Sequence, residues 1–142
     1  GFIVSLEDMQ SKNRAGKSVL TVPEGAGVLA PVRVRDPAAD LLVAVSNEGR
    51  MLVFPAGELP MLSRGKGNKI IAIPMARFRT REEFMLGAVV LGARESVLVH
   101  SGKRFLRMKA ADLDNYRGER GRRGNKLPRG FQKVDRLEVA AD

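Results

Sequence analysis

The chain has no cysteine and no tryptophan, a single histidine, a single tyrosine and only 5% aromatic residues among its 142. Without cysteine there is neither a disulfide framework nor a thiolate metal site, and a reducing, cytoplasmic compartment is expected. No apolar run approaches the roughly 18 residues of a membrane span. Gly1-Phe-Ile-Val-Ser-Leu6 lacks the charged start and the length of a signal peptide. Catalytic constellations are missing too. His100 closes an apolar run with no acidic neighbour in sequence, which makes it structural. Tyr116 has no base beside it and reads as a packing or stacking residue, not a nucleophile. Asp112 and Asp114 lack the further oxygen ligands of a metal site. Gly16-Lys17-Ser18 ends like a phosphate-binding loop, but Ser11 holds the place of the first glycine. The strand-like Val19-Leu-Thr-Val22 then follows where a helix would be required, so nucleotide hydrolysis is not expected. No cofactor is expected in this chain.

What is present is positive charge. The formal net charge is +9 and the sequence pI about 10.6. Between Ser101 and Lys133, eleven Lys and Arg stand against three acids, Asp112, Asp114 and Glu119. A field of one sign at that density attracts a polyanion. The residues are also arranged. Tyr116-Arg-Gly-Glu-Arg-Gly-Arg-Arg-Gly-Asn-Lys-Leu-Pro-Arg129 sets guanidinium groups, whose planar fork matches phosphate oxygens, among glycines that let a backbone approach closely. The theme recurs in Ser63-Arg-Gly-Lys-Gly-Asn-Lys-Ile-Ile-Ala-Ile73 and, thinner, in Asn13-Arg-Ala-Gly-Lys-Ser-Val-Leu-Thr-Val22. Gly16, Gly67 and Gly124 fall 51 and 57 residues apart, and the turn glycines Gly1, Gly49 and Gly102 fall 48 and 53 apart. The chain is a repeat.

The repeating unit is β-rich. Leu41-Leu-Val-Ala-Val45 and Met51-Leu-Val-Phe54 flank Ser46-Asn-Glu-Gly-Arg50, a hairpin signal in which Asn47 and Gly49 accept positive φ. Ser96-Val-Leu-Val-His100 and Arg104-Phe-Leu-Arg-Met108 repeat it around Gly102. Further strands are expected at Gly1–Leu6, Ser18–Val22, Val28–Arg35, Ile70–Ile73 and Phe131–Val139. Only Arg79–Leu86 has weak helical character. Short strands in units of roughly fifty residues indicate propeller-like blades. A sandwich is the alternative, but Leu41–Val45 is apolar at both alternating faces, as a strand covered on both sides should be. The expectation is one all-β domain over 1–142, a partial ring of antiparallel blades at 1–29 (partial), 30–83 and 84–139. If each unit presents its loop alike, Arg14, Lys17, Arg64, Lys66, Lys69, Arg117, Arg120, Arg122, Arg123, Lys126 and Arg129 make a stripe along one rim. Such a stripe suits duplex DNA held through its phosphates, with little sequence information.

Leu62-Ser-Arg-Gly-Lys-Gly-Asn-Lys-Ile-Ile71, Tyr116–Gly124 and Arg129-Gly-Phe-Gln-Lys-Val-Asp-Arg-Leu-Glu138 carry a resemblance over almost the whole chain. The sequence resembles the C-terminal domain of the gyrase A and ParC family, and within it the topoisomerase IV branch. That resemblance implies a β-pinwheel of about five blades with DNA on a basic outer rim, of which this chain would cover the last two and a half. It further implies a part in an ATP-hydrolysing type II topoisomerase, with a second A subunit, plus a B subunit, as partners and with ATP and Mg2+ acting elsewhere in the holoenzyme. The fragment itself would be non-catalytic. The gyrase box of the form Gln-Arg-Arg-Gly-Gly-Lys-Gly is absent, and Arg64-Gly-Lys-Gly67 keeps only part of its character. DNA bending is therefore expected ahead of gyrase-type chiral wrapping; a basic protein-interaction module is the remaining alternative.

Overall fold

A computed structural model describes all residues 1–142. The sharpest sequence signal gives the central hairpin: β1 (Leu41–Ser46) and β2 (Arg50–Pro55) pair antiparallel, with Val45 opposite Met51 and Leu41 opposite Pro55. Gly49 makes the reversal at φ +81, and its amide donates to the Ser46 carbonyl at 3.1 Å. A short helix α1 (Met75–Arg79) leads to β3 (Met85–Leu91), which pairs antiparallel with the free side of β1. A second hairpin, β4 (Glu95–Ser101) and β5 (Arg104–Met108), is joined on the other side of β4 by β7 (Arg136–Ala141). The two-residue strand β6 (Asn125–Lys126) pairs with β2. The result is a four-stranded sheet in the order β3-β1-β2-β6 and a three-stranded sheet β5-β4-β7.

These sheets interlock along the sequence. β3 and β6 lie in the second sequence unit, yet both complete the sheet built on the first unit's hairpin. The blades therefore do not follow the cuts at 30–83 and 84–139. Periodicity finds a hairpin because its partners are local; it has no access to a strand borrowed from forty residues further on.

Alternation along the hairpin explains the packing. Val43, Val45, Met51 and Val53 face one way and pack with Val97, Val99, Met108, Leu113, Tyr116, Leu127 and Val134. Leu42, Ala44, Leu52 and Phe54 face the other way, onto Ala56, Leu59 and Ile71, flanked by Ile3, Val34 and Ile70. The central sheet is thus covered on both faces, as its continuous apolar runs demand. Truncating a fully buried Phe54 or Leu52 in such a layer costs about 2–5 kcal/mol.

The N-terminal third departs from expectation. Gly1–Leu6 and Ser18–Val22 make only isolated bridges, Ile3 to Met61 and Leu20 to Gly65. Val28–Arg35 and Ile70–Ile73 belong to no strand, with bends at Arg35, Ile70 and Ile71, and the last strand begins at Arg136, later than expected from Phe131. Helix falls on Met75–Arg79, just ahead of the segment whose composition suggested it, while Met85 and Leu86 open β3.

Candidate nucleic-acid interface

The basic loops are straps, and each straps its own unit to the one before. In the second unit Arg117 bridges Val53 in parallel, and the amide of Gly118 donates to the Val53 carbonyl at 3.1 Å. Gly121 N–H donates to the Ile70 carbonyl at 2.8 Å, and Ala72 N–H to the Arg122 carbonyl at 2.8 Å. Asn125 then pairs with Met51. The first unit repeats every step. Met61 bridges Ile3, and the amides of Leu62, Gly65, Thr21 and Asn68 donate in turn to the carbonyls of Ile3, Val19, Gly65 and Gly1 at 2.8–2.9 Å. The registers superpose Gly67 on Gly124 and Lys69 on Lys126. They place Gly1 where Met51 stands, so Gly1 is not the counterpart of the turn residue Gly49.

Glycine is required at the two docking points. Gly67 and Gly124 have φ +73 and +75. A Cβ on Gly124 would sit 2.4 Å from the Met51 carbonyl oxygen, and one on Gly67 only 1.9 Å from that of Gly1. Gly16, the sequence counterpart, has φ +85 with nothing within 4 Å of the same point.

The end of the first strap meets the middle of the second. The Arg120 guanidinium donates to the Lys69 carbonyl at 2.7 Å, so the cations of the first strap run on into those of the second. Arg64, Lys66 and Lys69 are exposed, as are Arg117, Arg122, Lys126 and Arg129. Arg117 pairs with Asp114 at 3.3 Å and Arg122 with Glu119 at 3.2 Å. Exposed pairs of this kind contribute about 0–1 kcal/mol and leave both guanidinium groups open to a phosphate. Arg14 and Lys17 occupy the first loop, where the Lys17 ammonium donates to the Asp8 carbonyl at 2.6 Å.

Arg123 behaves differently from the stripe to which its sequence assigns it. It turns inward, donating to Glu83 through both terminal nitrogens, one of them at 2.7 Å, and to the Ala72 carbonyl at 3.3 Å. Glu83 is fully buried. Burial by itself would raise the pKa of its carboxyl. Hydrogen bonds from Arg123 and Ser46 and the charges of Arg123 and Arg77 outweigh that and hold it below the ordinary carboxylate value. Arg77 reaches Glu83 at 3.4 Å and Glu82 at 3.2 Å and also pairs with Glu48. A further latch, from Arg50, donates to the Gly124 carbonyl at 3.1 Å. Neither Glu83 nor Arg50 stands out in sequence, because each is one charge among ordinary turn charges, and the partner it finds on the strap lies tens of residues away.

The residues set aside as non-catalytic are structural here. Tyr116 lies in the core at 8% exposure, which raises its pKa. His100 pairs with Glu138 at 2.9 Å across β4 and β7. Asp112 accepts the Lys109 amide at 3.0 Å.

Stacked antiparallel blades that exchange glycine-hinged basic straps define a β-pinwheel, a variety of propeller. A family model described as the DNA gyrase C-terminal domain, a β-propeller, matches residues 40–90. The A subunit of DNA topoisomerase 4 from Pseudomonas aeruginosa is 54% identical over 98% of this chain, and that from Escherichia coli K12 is 45% identical over the same share. The chain covers 18% of the length of each of these relatives. The solved structure of the E. coli ParC C-terminal domain superposes with a TM-score of 0.86 at 43% identity, covering all of this chain and 57% of that one. A further solved C-terminal domain of DNA topoisomerase IV, at 16% identity and a TM-score of 0.57, shares the fold. The chain belongs to the family of C-terminal domains found in gyrase A and in the A subunit of topoisomerase IV.

Proposed function

We propose that this chain is a DNA-binding module of a type IIA topoisomerase of the topoisomerase IV kind. It holds duplex DNA through phosphates along the strap rim and presents it for ATP-dependent strand passage, decatenation and relaxation. The catalytic work falls to the rest of a holoenzyme built with a second A subunit, plus a B subunit, and that assembly acts on the nucleoid in the cytoplasm. The observation that supports this reading is the hydrogen-bond pattern common to both straps, together with the bond from Arg120 of the second strap to the Lys69 carbonyl at the end of the first. No helix is long and apolar enough to cross a membrane. The one α-helix has five residues, too short to read a major groove, so recognition should be nearly independent of sequence.

Duplex affinity should fall steeply with salt. If about four to eight phosphates are neutralised, log K falls against log[salt] with a slope of about −4 to −7. Titration of a short duplex at two salt concentrations tests this, and a flat response would mean that the rim meets something other than a phosphate backbone.

If the rim curves from blade to blade, it should also bend its duplex, since smooth bending by 40–90° costs about 1–6 kcal/mol and a handful of phosphate contacts offsets it. Bending without a closed chiral loop leaves topology almost unchanged. Relaxing a plasmid with a nicking-closing enzyme in the presence of the domain should therefore shift its linking number little. A large stoichiometric shift would instead support gyrase-type wrapping.

A further inference from the structure

We infer that Glu83 is a positioning residue for polyanion binding: its carboxylate holds Arg123 and so fixes the strap from which Arg120, Arg122 and Lys126 project. Glu83 lies outside the strap, on the turn between α1 and β3, and makes no contact with solvent. The strap needs such an anchor because of how it is built. Gly65 and Gly67 enclose one residue of the first strap, Lys66, whereas Gly121 and Gly124 enclose two, Arg122 and Arg123. All four glycines have positive φ, so in both straps the residues between them sit on hinges with little backbone stiffness of their own. The longer insert is bonded through the backbone at Arg122, and the side chain of Arg123 supplies the tie for the extra residue.

Arg123 is that tie. Its planar fork takes both Glu83 oxygens, and one nitrogen also reaches the Ala72 carbonyl, while the Ala72 amide bonds the Arg122 carbonyl next door. Glu83 is held in its turn by Arg77, whose other partners are Glu48 at the hairpin tip and Glu82. The path from the central hairpin to the exposed Arg122 is therefore continuous: Glu48, Arg77, Glu83, Arg123. At the corresponding place in the shorter strap, Lys66 is exposed. A carboxylate beneath a DNA-binding rim is unfavourable by charge alone, so a gain in placement is what its presence would supply.

The inference rests on the duplex-binding reading above, and the test separates the two. Glu83→Gln raises the net charge by one and frees Arg123. If charge alone counted, or if Arg123 were itself a phosphate contact, duplex binding would tighten and the salt dependence would steepen. Positioning requires the opposite: affinity about tenfold weaker and a salt slope shallower by about 2, as the contacts of Arg120 and Arg122 lose their geometry. Both proteins are measured at a temperature where melting curves show them folded, so lost stability alone moves neither number. Arg123→Lys is the second arm. It keeps the charge and gives up the fork, so the salt slope should become shallower as Arg120 and Arg122 lose their places, whereas a lysine in direct phosphate contact would keep the charge count and with it the slope. If Glu83→Gln does not fold, Arg123→Lys decides. Binding that is unchanged or tighter in the folded variants overturns the inference and leaves the function standing; a wild-type chain that ignores duplex DNA overturns the function itself.

Discussion

Replacing Arg123 with alanine is expected to lower folding stability by about 3–5 kcal/mol, because it leaves the Glu83 carboxylate in the interior without its bidentate partner, with Arg77 and Ser46 beside it. Arg122, one residue earlier, is exposed and pairs with the equally exposed Glu119, so its alanine variant should stay within about 1 kcal/mol of the parent. Urea unfolding of the two variants compares a latch with a rim contact in adjacent residues. If Arg123→Ala were as mild as Arg122→Ala, Glu83 would have to find water or a proton in place of its partner. The same pair sets an acid dependence. The folded-state pKa of Glu83 lies below its ordinary value of 4.5, so its contribution is present above that value and is lost as pH falls through the folded one. The stability gap between the parent and Glu83→Gln should therefore be wide at neutral pH and close progressively below about pH 4.5. A gap that stayed constant to low pH would mean that Glu83 is already protonated in the native state.

The contrast between Arg122 and Arg123 shows how far the sequence reaches. Composition and spacing reveal the hairpin at 41–54, its counterpart at 96–108, the two-sided burial of the central strands and the recurrence of basic glycine loops. All of these are local or periodic. The exchange of strands between units is neither, since the pairing of β3 with β1 and of β6 with β2 joins residues tens of positions apart. The strand exchange behind the blade boundaries and the inward turn of Arg123 onto Glu83 both follow from that one fact. A guanidinium next to glycine looks the same in sequence whether it faces a phosphate or a buried carboxylate. Glu83 follows Glu82 in a turn, one fully buried and the other exposed, and no periodicity distinguishes them. The resemblance to the gyrase A and ParC family supplies the pinwheel as a whole, which is why the architecture was accessible when its connectivity was not.

Gly124→Ala should be as damaging as the loss of the latch, for a reason in the backbone. At φ +75 an alanine is disfavoured by about 1 kcal/mol, and that part alone would be tolerable. The new methyl group, however, would lie 2.4 Å from the Met51 carbonyl oxygen and 2.8 Å from its carbon. Met51 is fully buried in β2, paired across to Val45, and cannot retreat. The strap must lift instead. Lifting breaks the pairing of Asn125 with Met51 and pulls Leu127 out of the core, where it is 5% exposed. Re-exposing one leucine costs about 1.5–3 kcal/mol, which brings the expected total to about 2.5–4 kcal/mol. A strap that no longer docks also scatters Arg122 and Lys126, so duplex binding should weaken even where the protein remains folded. Gly16→Ala is the internal control. It meets the same positive φ with no atom within 4 Å of the new methyl, so it should cost about 1 kcal/mol and no more. Equal losses at the two glycines would mean that conformation alone sets the cost and that the strap docks without close contact; a gap of about 1.5 kcal/mol or more assigns the difference to the approach of strap to blade.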